Sequence, residues 1–220
     1  KFYPTSFLLP NEINEAELHF SSIPLWIFKP CASSRGRGIH LISSHDDKLP
    51  TNKGILQQYI EKPLLITGRK FDIRLYVLVT SVAPLRIYIH KSGLGRFATH
   101  QYDLCGDPSD LQMHLTNFSL NKVSNDFISC NENVESIENS KWSLDFLLNY
   151  FKSLSIDIEK LMKDIEKVVI SSLIGGVCQI RRHHQNLIKH PHTSYEVYGF
   201  DILLDEKLKP YVIEINISPS

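Results

Sequence analysis

Several things are scarce or missing in this 220-residue sequence. It carries four cysteines, Cys31, Cys105, Cys130 and Cys178, with no C-x-x-C spacing. At this length and density a disulfide framework is excluded, and the pattern points to reduced thiols of a cytosolic protein. Neither charge is in excess, since Lys plus Arg and Asp plus Glu stand at 24 each. No global field therefore marks a nucleic-acid or membrane partner, and any pull on a charged ligand must come from local clusters. No apolar run approaches the roughly 20 residues of a membrane span, and no signal-peptide pattern opens the chain. Internal repeats are absent. An initiator Met is missing too, and the end follows directly on a strand-like run, which suggests a piece of a longer polypeptide.

What remains is an ordinary globular composition, 42% apolar and 22% charged. That is enough for one sizeable core, or for two small lobes sharing a cleft. Residues 11–18 suggest a short helix, and LWIFKP (25–30) a buried strand closed by Pro30. A turn rich in small residues, with Gly36 and Gly38, leads to a second strand at 39–42, and GILQQYI (54–60) makes another. FDIRLYVLVT (71–80) and LRIYIH (85–90) read as a hairpin around Ser81–Pro84. Residues 121–140 are polar and Asn/Ser-rich, the signature of a long surface loop. Between Trp142 and Ile174 the apolar period becomes helical, with a break near Ser153–Ser155. YGFDILL and YVIEINI then form two strands around the turn 205–210. The pattern is α+β, with a sheet completed from both ends of the chain.

The final hairpin carries the strongest chemical signal. Asp201 interrupts an apolar strand, and Glu214 and Asn216, two residues apart, leave the same face of its partner. Two carboxylates and an amide oxygen in apolar surroundings form a hard oxygen site suited to Mg²⁺, which is commonly completed by water and substrate phosphates. The same alternation fits a solvated edge hairpin, but unpaired carboxylates buried among apolar neighbours are costly without a cation. Lys29, inside WIFKP and just before the glycine turn, suits a phosphate site as a point charge. The R-G-R-G turn has backbone N–H groups to fold over phosphates, although a plain surface loop reads equally well. It is neither a Walker A nor a dinucleotide-binding glycine pattern. In GRKFDIR, Lys70, Asp72 and Arg74 alternate with Phe71 and Ile73 and share one face, either a self-neutralising exposed row or a phosphate- and carboxylate-binding one. Arg86, Arg96, Thr116, Asn117, Ser119 and Lys122 are unremarkable singly, and the ten histidines lack a ligand spacing and read as solvated.

Together these stretches resemble the tubulin tyrosine ligase-like family, a branch of the ATP-grasp fold. The matching pieces are FYPTSFLLP, WIFKPCASSRGRGI, QQYIEKPLLITGRKFDIRLYVLVTS, PLRIYIHKSGLGRFAT, MHLTNFSLNK, KWSL and YGFDILLDEKLKPYVIEINISPS. They cover most of the chain in the family's order. The resemblance implies two α+β lobes clasping ATP, roughly residues 1–62 with the glycine-rich loop and 63–220 with the metal site, built on mixed or antiparallel sheets. It implies that Lys29, Arg35 and Gly36 meet phosphate, and that Gln57, Gln58, Tyr59 and Ile60 pass the adenine, reading it through backbone groups. Lys70, Phe71 and Asp72 would line the nucleotide, with Thr116 and Asn117 opposite. Asp201, Glu214 and Asn216 would hold Mg²⁺, with Mn²⁺ as a substitute.

PLRIY, GLGRFAT and MHLTNFS look most like the glutamate-adding members. They imply that Arg96 takes the carboxylate of free L-glutamate, assisted by Ser119 and Lys141, while Lys29, Arg74 and the metal stabilise the transferring phosphoryl group. The implied reaction ligates glutamate through an isopeptide bond to glutamate side chains of tubulin tails, or of another acidic protein, by way of an acyl phosphate. The implied setting is a monomer in the cytoplasm, at the cytoskeleton or at a cilium or basal body. Ligation of glycine or tyrosine, and a non-catalytic tubulin-binding module of the same fold, are the competing readings. The family's fuller N-terminal lobe and its helix after N-I-S-P-S have no counterpart in these residues.

Overall fold

The computed structural model describes residues 2–31, 36–122, 124, 126–128, 136–187 and 195–219, without the side chains of 183–187. Residues 123, 125 and 129–135 of the expected loop at 121–140 lie outside them, as do Arg35 of the glycine turn, Cys130 and the His183, His184, His190 and His192 side chains.

The first elements are β1 (Ser6–Leu9), α1 (Ile13–Phe20), β2 (Leu25–Pro30), β3 (His40–Ser43) and β4 (Gly54–Gln58). Their strands pair in the order β1-β4-β2-β3, and each pairing is antiparallel. The unbroken apolar run of β2 exists because both its faces are covered. Trp26 and Phe28 pack with Phe7, Leu9, Ala16, Phe20, Ile42 and Leu56 on the α1 side. Ile27 faces the other way and meets Tyr59 and Leu115. The Trp26 indole nitrogen donates to Phe20 O at 3.1 Å, so the strand also anchors the end of the helix. Gly54 allows β4 to approach: a Cβ there would lie 2.4 Å from the Phe28 ring and 2.7 Å from Lys29 O.

The second group is β5 (Leu65–Ile66), β6 (Arg69–Val82), β7 (Leu85–Phe97), α2 (Leu111–His114), α3 (Phe118–Asn121), β8 (Lys141–Ser143), α4 (Leu144–Ser153), α5 (Ile158–Leu187), β9 (Glu196–Leu204) and β10 (Pro210–Ile217). The strands form a second sheet in the order β10-β9-β6-β7-β8, with β5 against β6. One sheet completed from both chain ends was expected. The N-terminal strands instead close on themselves, because α1 covers one face of β2 and β4 and leaves those strands self-sufficient. The second sheet is completed by β9 and β10 alone.

The larger core lies on one face of that second sheet. Odd positions of β6, from Phe71 to Val79, join Phe97, Phe200 and Ile202 beneath Leu147 and Phe151 of α4 and Leu161, Ile165 and Val169 of α5. Ser143 caps α4, its hydroxyl accepting from Phe146 N at 3.1 Å. Helix α5 runs to Leu187, well past the expected end near 174, and passes through Gly175 and Gly176. Those two glycines cost about 1 kcal/mol each in propensity, which the packed first half of the helix outweighs. Strands β1, β5 and β8 were not expected, being two to four residues long with too little alternation to register. Among the described residues no helix is long and apolar enough to cross a membrane, and Cys31, Cys105 and Cys178 are free and exposed.

Leu147 is wholly buried between α4 and the sheet, whereas Leu154, just past that helix, is 55% exposed. Leu147→Ala is expected to lower unfolding free energy by about 2–5 kcal/mol in urea denaturation, and Leu154→Ala by no more than about 0.5 kcal/mol.

Candidate functional site

The even positions of β6 leave the opposite face, and there the two sheets enclose a cleft of about 970 Å³. Register explains the assembly of its floor. Asp72 lies opposite Arg96 of β7, Arg74 opposite Asp201 of β9, and Asp201 opposite Glu214 of β10. Directly paired residues share a face, so four strands present one row of charges. Lys29 and Gln57 enter from the small sheet. Thr116 and Asn117 come from the connection between α2 and α3, Ser119 from α3 itself, Lys141 from β8, and Gly36 from the glycine turn.

Four of these groups form a closed lattice. Arg74 pairs with both oxygens of Asp201, through Nε to Oδ1 and through Nη2 to Oδ2 at 3.1 Å. Arg96 grips Asp72 in the same two-point way, with Nε 2.8 Å from Oδ1, and its Nη2 also lies 2.9 Å from Asp201 Oδ2. Thr116 donates its hydroxyl to Asp72 Oδ2 at 2.8 Å. Burial by itself lowers the pKa of Arg96, but Asp72 and Asp201 outweigh it and leave the guanidinium more firmly charged than usual. The row in GRKFDIR is therefore not self-neutralising. All three residues are buried, and Asp72 and Arg74 find their partners on the strands either side, because β6 is the central strand of the sheet.

The two lysines differ from the arginines. Lys29 Nζ donates to Gln57 Oε1 at 2.8 Å and to Ile213 O at 3.2 Å. Ile213 is the extra residue of a bulge between Val212 and Glu214, so its carbonyl is free of the ladder. Burial pushes Lys29 down to about 8, against the pull of Glu214 and Asp201. Lys70 Nζ donates to the Tyr59 hydroxyl at 3.0 Å and lies 4.3 Å from that ring's centroid. Burial pushes Lys70 to about 7, Asp72 resisting and Lys29 reinforcing the shift. Both ammoniums thus face the cleft with neutral hydrogen-bond partners, and an anion bound between them would restore their charge.

The proposed metal set is brought together. Asp201 and Glu214 are direct cross-strand partners, and Asn216 Nδ2 is 3.4 Å from Asp201 Oδ2. Glu214 is exposed with no ion-pair partner among the described residues, so one carboxylate is ready for a cation. Asp201 shares its oxygens with Arg74 and Arg96 and would contribute only through a shared lone pair. In type and placement the donors fit a hard divalent ion whose remaining positions are filled by phosphate and water. The cleft's size and its lysines likewise fit a nucleoside triphosphate.

Other expectations sort as follows. Thr116, Asn117, Ser119, Lys141 and Arg96 line the cleft, with Lys141 paired opposite Arg96 across β7 and β8. Arg96 is not an open fork for a carboxylate, because Nε and Nη2 are committed to Asp72 and Asp201, and Nη1 remains. Phe71, expected to line the nucleotide, is corrected: as an odd residue of β6 it turns into the core and stacks on Phe97 at 5.5 Å. In the Gln57–Ile60 stretch, Gln58 N donates to Thr5 O at 2.7 Å and Tyr59 N to Leu25 O at 3.0 Å. The Ile60 N–H has no partner among the described residues and is the backbone donor left for a base. Sequence reasoning missed His114, which it left among solvated histidines. It is 3% exposed, and its Nδ1 is 2.9 Å from the Tyr59 hydroxyl. The signal was its apolar setting, between Met113 and Leu115.

Comparison with known proteins agrees with this geometry. The model of the tubulin-tyrosine ligase family matches residues 1–220. Human tubulin polyglutamylase TTLL5 (Homo sapiens) is 42% identical over 219 residues, 99% of this chain and 17% of that protein. Tubulin monoglutamylase TTLL4 of Mus musculus is 40% identical over 223 residues, all of this chain and 18% of its own length. A probable beta-tubulin polyglutamylase of Tetrahymena thermophila is 40% identical over 230 residues, all of this chain and 19% of its own. The chain thus spans less than a fifth of these three relatives.

The lattice and the exposed carboxylate make opposite predictions for two neighbouring acids. Asp201→Asn leaves the buried Arg74 guanidinium without its counter-charge and is expected to cost about 3–5 kcal/mol of stability in metal-free buffer. Glu214→Gln, at an exposed position, is expected to change stability by less than about 0.5 kcal/mol in the same denaturation experiment.

Proposed function

The chain belongs to the tubulin-tyrosine ligase family, and from that premise we propose that it is the catalytic core of an ATP- and magnesium-dependent glutamate ligase acting on glutamate side chains of tubulin. The observation that carries this reading is the pair of ammoniums, Lys29 and Lys70, facing an enclosed cleft without anionic hydrogen-bond partners, beside a completed arginine–aspartate lattice. Lys29, Arg37, Lys70, Arg74, Arg96 and Lys141 line the cleft against only Asp72, Asp201 and Glu214. The excess is positive although the whole chain is neutral, as the binding of a polyphosphate and two carboxylate substrates requires. The names of the relatives, tubulin polyglutamylase and tubulin monoglutamylase, support glutamate and tubulin as the substrates.

In the proposed reaction the γ-phosphoryl group of ATP passes to the γ-carboxylate of the acceptor, giving an acyl phosphate and ADP. The α-amine of free glutamate then forms the isopeptide bond as phosphate leaves. Each residue's part is positional and electrostatic, since phosphoryl transfer leaves little covalent chemistry to the protein. Lys70 and Lys29 neutralise the phosphates from the two sheets. Asp72 and Asp201 hold Arg96 and Arg74 rigid, so their outward N–H groups meet the charge that develops on transfer without reorganising. Arg96 Nη1, the paired Lys141 and Ser119 all line the cleft, a suitable set for the carboxylates of incoming glutamate. Magnesium held by Glu214, Asn216 and a shared oxygen of Asp201 would supply further neutralisation of the phosphates. On this reading the enzyme works as a monomer at the microtubule cytoskeleton, in the cytoplasm or at a cilium or basal body.

Incubation of the chain with ATP, Mg²⁺, tubulin and labelled amino acids should incorporate glutamate in preference to glycine or tyrosine. Incorporation of glycine with none of glutamate would overturn the substrate assignment. Glu214→Gln should abolish transfer while leaving the fold intact, and full activity in that variant would remove the hairpin from the site. Nucleotide binding should also weaken as pH rises. Lys70 and Lys29 titrate in the free protein near 7 and 8 but must be charged beside phosphate, so binding above those values takes up protons. Calorimetry should show affinity falling by about tenfold or more between roughly pH 7.5 and 9, a range in which ATP itself is fully ionised. A pH-independent affinity would mean that neither lysine meets the nucleotide.

A further inference from the structure

Lys70 is the most deeply enclosed ammonium of the site, and its surroundings contain more than the reaction above uses. Lys70, Tyr59 and His114 are 7%, 4% and 3% exposed. They come from three separate elements: β6, the residue just after β4, and the end of α2. Lys70 Nζ lies 3.0 Å from the Tyr59 hydroxyl, which lies 2.9 Å from His114 Nδ1. We propose that Tyr59 and His114 are positioning residues for Lys70, joined in one hydrogen-bonded relay that aims its ammonium into the cleft and favours the charged form against the pull of burial. The bearing on ATP rests on the nucleotide reading above; the relay itself does not.

The direction of each hydrogen bond follows from chemistry. An ammonium has only protons to offer, so the Tyr59 oxygen must accept from Lys70. The relay assigns the single hydroxyl proton to His114 Nδ1, at 2.9 Å the nearest acceptor, rather than to the neighbouring Tyr102 oxygen, and Nδ1 is then bare. The imidazole is therefore neutral, with its proton on Nε2. That nitrogen is buried and has no hydrogen-bond partner of ordinary geometry among the described residues, the Asp107 backbone being the acceptor that favours the ring's proton. A ring serving only to fill space would do so better as a hydrocarbon, without a poorly satisfied polar atom. The poorly paired nitrogen is what the fold accepts in order to present Nδ1 to Tyr59.

The surrounding charges hold this assignment in place. Burial first, and then the Lys70 charge, lower the His114 pKa, while Asp107 and Asp110 pull the other way without reversing it. Burial first, then Tyr102 and Glu61, hold Tyr59 well above the usual phenol range, so it remains a hydroxyl able to donate. Tyr102 is itself pushed up to about 12, chiefly by burial, and donates to Glu61 O at 2.7 Å. Around Lys70, Asp72 favours the charged form and Lys29 opposes it. Because Lys70 also lies against the Tyr59 ring, Tyr59→Phe removes the hydroxyl and keeps that contact.

The test is a pH titration of the Lys70 side chain by NMR in protein labelled at the lysine ε-carbon, without nucleotide. Loss of an acceptor disfavours the ammonium, so Tyr59→Phe should lower the Lys70 midpoint by on the order of one pH unit, tenfold in the proton equilibrium. His114→Leu should shift it the same way by less, and should add nothing in the Tyr59→Phe background. His114→Asn, whose amide oxygen stands where Nδ1 did, should restore the wild-type midpoint. An unchanged midpoint in Tyr59→Phe, additive shifts in the double variant, or His114→Asn behaving like His114→Leu would overturn the relay. If His114→Leu does not fold, Tyr59→Phe and His114→Asn decide the matter. Calorimetry with a non-hydrolysable ATP analogue near pH 7.5 separates the two proposals. Failure of the wild type to bind would overturn the nucleotide reading, whatever the titration shows. Binding by the wild type, with Tyr59→Phe about tenfold weaker, would support both.

Discussion

The cleft depends on one arrangement of charge, the lattice of Arg74, Arg96, Asp72 and Asp201. Removing four charges from water costs several kcal/mol per ion, and only nearly complete mutual pairing offsets that. Here Arg74 contacts two carboxylate oxygens and Arg96 three, and Asp201 bridges the pair. The pairing demands that β6, β7 and β9 be in one register, so the same contacts that neutralise the charges also align the strands. It also leaves the protein with fixed dipoles facing the cleft, the preorganised condition under which electrostatic stabilisation is most effective. Against this rigid floor, the two lysines are the groups whose charge still responds to a ligand.

Strand β6 divides the molecule's tasks between its faces. Phe71, Ile73, Leu75 and Val77 bury against α4 and α5, while Lys70, Asp72 and Arg74 face the cleft. A strand that is central in its sheet and covered on both sides has little freedom to slip, because a one-residue shift would put the charges into the core. The bulge at Ile213 makes a smaller adjustment of the same kind. It keeps Glu214 opposite Asp201 and turns a carbonyl toward Lys29, so the two sheets meet through a hydrogen bond as well as across empty space.

Much of the site was legible in the sequence for this reason. Charged residues inside apolar strands are expensive, so Lys29, the Lys70–Arg74 row and Asp201 were conspicuous before any geometry was known. Alternation assigned their common face correctly, and two-residue spacing did the same for Glu214 and Asn216. The one misplaced residue, Phe71, came from carrying a motif over whole, where the period of two would have put its side chain on the other face. His114 was invisible for a different reason. A histidine is compatible with water or core, and its short helix contributes no periodicity to decide between them. Arg96 lines the cleft as expected of it, but its spacing in the sequence did not show the two carboxylates that occupy it, one across the β6–β7 hairpin and one on β9.

By itself, then, the sequence determined the longer strands and their faces, the two helices of the larger core, and the family, because each rests on local patterns or on motifs in a set order. Tertiary structure alone decided that the strands form two sheets, that α5 continues through two glycines, and that the charges in β6 find partners on β7 and β9. It also decided which atoms remain available, Arg96 Nη1 beside a filled fork and the Ile60 N–H beside two committed ones, and it set His114 Nδ1 against the Tyr59 hydroxyl. Pairing energies depend on separations of a few ångströms between residues that lie up to 127 positions apart, as for Arg74 and Asp201, and no local pattern encodes such distances.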